Sequence, residues 1–107
     1  MKHNVKLGAR LMDIFRPGWY REIERQHFDM ALGWDCILGQ LYKRQAWGCQ
    51  GVLNGYEYFM NAYGRSMNWA TKYGFMIPLG TPTRDCEEEY KYLTALWLNE
   101  IHDRLNA

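Results

Sequence analysis

Trp34-Asp35-Cys36-Ile37-Leu38-Gly39-Gln40-Leu41-Tyr42 is the most core-like window in the chain, and the other segments read as layers around it. Asp35 is placed to cap a helix by accepting a hydrogen bond from a free backbone N–H of the first turn. Ile37, Leu38, Leu41 and Tyr42 follow at i, i+1, i+4 and i+5, which is one helical face. Gly39 costs a helix roughly 1 kcal/mol against Ala, so its place here points to the close approach of another backbone. Gln40 reads as a solvent-facing or backbone-bonded amide, with a ligand or partner contact as the alternative. Cys36 reads as a small buried hydrophobe rather than a nucleophile.

Upstream, Asn4 can cap a helix on which Leu7, Leu11, Ile14 and Phe15 recur at i, i+4, i+7 and i+8. Arg16 precedes Pro17, which disfavours a helical residue there and ends the helix. Pro17-Gly18 is a turn. Trp19–Phe28 then reads as a short helix with Trp19 and Ile23 inward and Glu22, Glu24, Arg25 and Gln26 in solvent. His27 reads as a surface or capping histidine. Asp29–Gly33 is a link whose Met30 and Leu32 are expected to reach the core.

Downstream, Lys43–Gly51 is polar with two glycines and reads as a loop. Its Trp47 is either a lid over the core or an exposed anchor. Asn54-Gly55 permits a tight hairpin, but Phe59-Met60 breaks the strand alternation and favours a helix over Tyr56–Tyr63. Tyr56, Tyr58, Phe59 and Tyr63 cannot all face inward on so short a segment. Ser66 can cap a further helix ending at Tyr73. Gly74 then fits the left-handed position after it, and Phe75 folds back on Ala70 as in a Schellman motif. Ile77-Pro78 and Thr81-Pro82 bracket a loop and argue against a central strand.

The last element is the clearest. Asp85 with Glu88 three residues later resembles a capping box, and Glu87, Glu88 and Glu89 suit the positive end of a helix. Tyr90, Leu93, Trp97, Ile101 and Leu105 form an apolar stripe, widened by Leu96 and Leu98. This helix is expected to pack over the central one. The fold expected is mainly α: one small domain over residues 1–107 with four to five helices, long aromatic-rich loops, and one short hairpin as the open alternative at Asn54-Gly55.

Composition narrows the function more than it names it. At 107 residues the chain can bury a real core without staples. Aromatic residues make up 16%, including five Trp and eight Tyr, and such a surplus supplies interface anchors and stacking platforms as well as core. Net charge is +1, which is no nucleic-acid footprint and no acidic mimic of one. No apolar run approaches the ~20 residues that span a membrane. The N-terminus has no apolar stretch of the signal-peptide kind. Three cysteines without a Cys-x-x-Cys pair point to reduced thiols and a cytoplasmic location.

No catalytic constellation or cofactor motif stands out. Cys36, Cys49 and Cys86 are spaced too widely for a zinc finger or ribbon, and no phosphate-binding glycine loop is present. His102-Asp103 reads as a complement to a helix end. Binding remains. Arg44, Trp47, Tyr56, Tyr58 and Arg65 lie in one region of sequence. They would serve either as anchors for a protein partner or as rings and cations around a nucleotide.

Leu11–Trp19, Asp35–Tyr42, Tyr73-Gly74-Phe75 and Leu93-Thr94-Ala95-Leu96-Trp97 together give most of the chain a recognisable pattern. In that pattern it resembles small uncharacterised proteins of bacteriophages and bacterial genomes, many of them actinobacterial. Many of those proteins carry Gly after the Leu-Tyr pair, where this chain has Lys43, so the exit from the central helix differs. The resemblance supplies no site residues. It implies a phage-type, non-enzymatic binding protein that blocks a host or defence-system protein, as an anti-CRISPR does, in the cytoplasm of the bacterial host. The alternatives are a nucleotide-sequestering sponge, which should form a defined oligomer, and a small enzyme or nucleic-acid binder.

Overall fold

A computed structural model of the chain describes residues 4–32, 35–42, 68–78 and 80–107, the side chains at 68 and 69 excepted. These residues are mainly helical. Among them are α1 (Val5–Phe15), a 3-10 helix (Trp19–Arg21), α2 (Ile37–Tyr42), α3 (Asn68–Lys72) and α4 (Thr83–Leu105), with no strand. The region from Lys43 to Met67, with its choice between hairpin and helix, lies outside the described residues.

The central window is core, as its pattern requires. Ile37 and Leu38 are fully buried and Cys36 and Leu41 nearly so, while Tyr42 packs against them from the edge. The cap differs from the expectation of Asp35. The Gly39 N–H donates to Cys36 Sγ at 3.3 Å, so the residue just before α2 supplies the acceptor through sulfur. Asp35 instead offers its carbonyl, which accepts from Gln40 Nε2 at 3.0 Å.

Gln40 is the backbone-bonded amide anticipated for it, and it explains a correction next door. Its Oε1 accepts from the Glu24 N–H at 2.7 Å and its Nε2 donates to the Glu24 carbonyl at 3.3 Å. Glu24 thereby gives its N–H to a distant side chain rather than to a helical ladder, and its carbonyl is shared between Gln40 and the His27 N–H of a local turn. The expected helix over Trp19–Phe28 is accordingly only one 3-10 turn, followed by two hydrogen-bonded turns in which the His27 N–H donates to the Glu24 carbonyl at 3.2 Å and the Phe28 N–H to the Arg25 carbonyl at 3.3 Å. The expected inward residues, Trp19 and Ile23, are still buried, and Phe28 joins them. In the following link Met30 is buried, its N–H donating to Thr94 Oγ1 at 3.0 Å, but Leu32 faces solvent.

α1 ends where Pro17 dictates, with the Arg16 N–H bonded to the Met12 carbonyl. Its buried face shares only Leu11 with the predicted one. Val5, Gly8, Ala9, Leu11 and Met12 point inward, whereas Ile14 is 73% exposed and Leu7 and Phe15 also reach solvent. The reason is close packing at Gly8, where a Cβ would run into the Tyr73 carbonyl oxygen and the Trp97 ring. Small residues, not the large stripe, set the orientation of this helix.

At the end of α3 the expected Schellman motif is present. The Phe75 N–H donates to the Ala70 carbonyl at 2.7 Å and the Gly74 N–H to the Thr71 carbonyl at 3.1 Å. Gly74 has φ +77° and lies against the Val5 backbone, so glycine is required twice over.

α4 is about 35 Å long by its residue count. It begins three residues earlier than the capping-box reading, after Pro82, which leaves Asp85 in the first turn rather than at the cap. There its charge still favours the helix N-terminus. Leu93, Trp97 and Ile101 are fully buried and Tyr90 is half-buried, but Leu105 emerges from the core. α4 packs most closely on α1 and the 3-10 helix rather than over α2. Trp97 is the hub. Its ring meets Trp19 edge to face at 5.6 Å, stacks on Phe75 at 5.5 Å, and donates from Nε1 to the Gly74 carbonyl at 2.7 Å.

Candidate functional site

The α1–α4 contact carries a chain of charges along its edge. Trp19 Nε1 donates to Asp13 Oδ1 at 2.9 Å. Arg104 grips the same carboxylate with two bonds, Nε to Oδ1 at 3.1 Å and Nη2 to Oδ2 at 2.8 Å. Arg104 Nη1 also reaches Glu100 Oε1 at 2.8 Å, and Lys6 Nζ takes the other oxygen of Glu100 at 2.9 Å. The Arg104 guanidinium lies 5.7 Å from the Trp19 ring centre. Hydrogen bonding to Arg104 holds the Asp13 carboxyl below its usual range. Burial works to raise the Glu100 pKa, but the bonds to Lys6 and Arg104 outweigh it and the net direction is down.

Beyond Lys6 and Glu100 this edge opens into a cleft of about 550 Å³. The first turn of α1 forms one wall through Asn4, Val5 and Lys6; Leu96, Asn99, Glu100 and Asp103 of α4 form the other. Leu96, Asn99 and Asp103 are spaced i, i+3 and i+7, so one stripe of α4 faces the opening. Val5 and Leu96 give it an aliphatic surface. The side chains of Asn4, Asn99 and Asp103 make no hydrogen bond among the described residues and are exposed to solvent. Lys6 and Glu100 neutralise one another, which leaves the Asp103 carboxylate as the unbalanced side-chain charge among the described residues of the lining.

Such a lining can exchange hydrogen bonds with a polar chain and pack against its carbons. It is poorly suited to proton transfer, because both oxygens of its buried carboxylate, Glu100, are held by cations. The described thiols are similarly committed. Burial pushes Cys36 up to about 11, which keeps it a thiol near neutral pH. Cys86 Sγ donates to the Pro82 carbonyl at 3.5 Å and the Thr81 carbonyl at 3.7 Å. His27 and His102 lie on the surface, as their sequence context indicated. Among the described residues no group of three or more His, Cys, Asp or Glu side chains is placed to hold a metal ion. Among the same residues no helix is long and apolar enough to cross a membrane.

The five binding residues anticipated from sequence, Arg44, Trp47, Tyr56, Tyr58 and Arg65, lie outside the described residues. Sequence reasoning passed over its lining because the two walls are some ninety positions apart, as the Lys6–Glu100 pair is. The available signal was the polar edge Asn99–Asp103 flanking the apolar stripe of the last helix. No family model matches the chain, and no curated protein and no solved structure matches it.

Proposed function

We propose that this chain is a small phage-type binding protein that acts without catalysis, by holding a host or defence-system protein in the bacterial cytoplasm, as an anti-CRISPR or another immune inhibitor does. The observation that carries the binding part of this reading is the cleft between α1 and α4. Three side chains with unused hydrogen-bonding capacity, Asn4, Asn99 and Asp103, converge there beside the aliphatic Val5 and Leu96. This mixture of amides, one net negative charge and hydrocarbon matches a polypeptide segment. It is unfavourable for the sponge alternative at this position, since Asp103 would repel a nucleotide phosphate and Lys6 is already paired with Glu100. The phage and anti-defence context comes from the sequence resemblance.

The test is affinity capture of the tagged chain from a bacterial host carrying defence systems, with mass spectrometry of both proteins and small molecules. The wild type is expected to retain one stoichiometric protein partner. A double variant, Asn99→Ala with Asp103→Arg, should lose it while its unfolding midpoint stays close to wild type, because surface changes away from packed features shift stability by only about 0.5 kcal/mol. Retention of a nucleotide without a protein would overturn the reading in favour of the sponge. Capture undiminished by the double variant would remove the cleft from it.

A further inference from the structure

We draw no further inference here: the strongest candidate beyond the cleft already described, the outward ridge of α1 formed by Leu7, Arg10 and Ile14, is an uncovered helix face, and nothing in the structure shows what covers it.

Discussion

α1 and α4 lie against each other, yet they meet the core by opposite means. α4 drives large side chains inward, with Leu93, Trp97 and Ile101 fully buried. α1 offers Gly8 and Ala9 to those side chains and turns Leu7 and Ile14 toward solvent. A tryptophan whose ring edge must come close to a neighbouring helix needs a place where that helix has little side chain. The two faces are therefore one feature: the bulk of Trp97 and the bareness of Gly8 fit each other. An apolar stripe on one helix can be read alone, but a hollow has meaning only beside the group that fills it.

The comparison can be broken first at its larger half. Trp97→Ala removes the hub shared by Trp19, Phe75 and the Gly74 carbonyl. It should cost about 4 kcal/mol, within the range for aromatic deletions in cores, read as a loss of denaturant midpoint. Little change would mean that the α1–α4 seam is not the centre of the structure.

The smaller half gives a sharper test because the sign is at stake. Helix propensity alone makes Gly8→Ala stabilising by up to about 1 kcal/mol. The close contacts with Tyr73 and Trp97 oppose this. We expect a net destabilisation of about 2 kcal/mol, as for overpacked cores. A stabilised Gly8→Ala variant would show that the helices stand further apart than described.

Arg104→Ala tests the charged edge of the same seam. The variant loses the grip on Asp13 and one of the two cations on Glu100. A cost of about 2 kcal/mol is expected, between exposed and fully buried ion pairs. Its pH dependence is more specific. Asp13 and Glu100 both have lowered pKa values in the folded state. Their stabilisation is present in full above the ordinary carboxylate values near 4 and fades as pH falls through the lower folded values. Urea unfolding at a series of pH values should show wild type losing stability over that acid window and Arg104→Ala losing less. Parallel curves would exclude this network as a source of acid sensitivity.

The smallest effect belongs to the outward face of α1. Ile14→Ala should shift stability by no more than about 0.5 kcal/mol, because the side chain is 73% exposed. A loss of several kcal/mol, the usual result of truncating a buried isoleucine, would return Leu7, Ile14 and Phe15 to the core and reverse the assignment of faces.

Where a few neighbouring residues settle the matter, the sequence by itself determined the structure. Pro17 stops α1 at Arg16 through a clash one residue back. Gly74 and Phe75 close α3 because a left-handed glycine and a backbone bond to Ala70 need only six consecutive residues. Cys36, Ile37, Leu38 and Leu41 and the Leu93–Trp97–Ile101 stripe are buried because that much contiguous apolar surface has nowhere else to go. Tertiary structure alone decided which side of α1 faces inward, that Gln40 takes the Glu24 backbone away from a helix, and that Lys6 meets Glu100 and Asp13 meets Arg104. It also decided that Asn4 and Asp103 share a cleft. Each of these depends on the shape or hydrogen-bonding capacity of a partner far along the chain. Local propensities act over a few residues, whereas close packing and ion pairing act between surfaces that folding brings together.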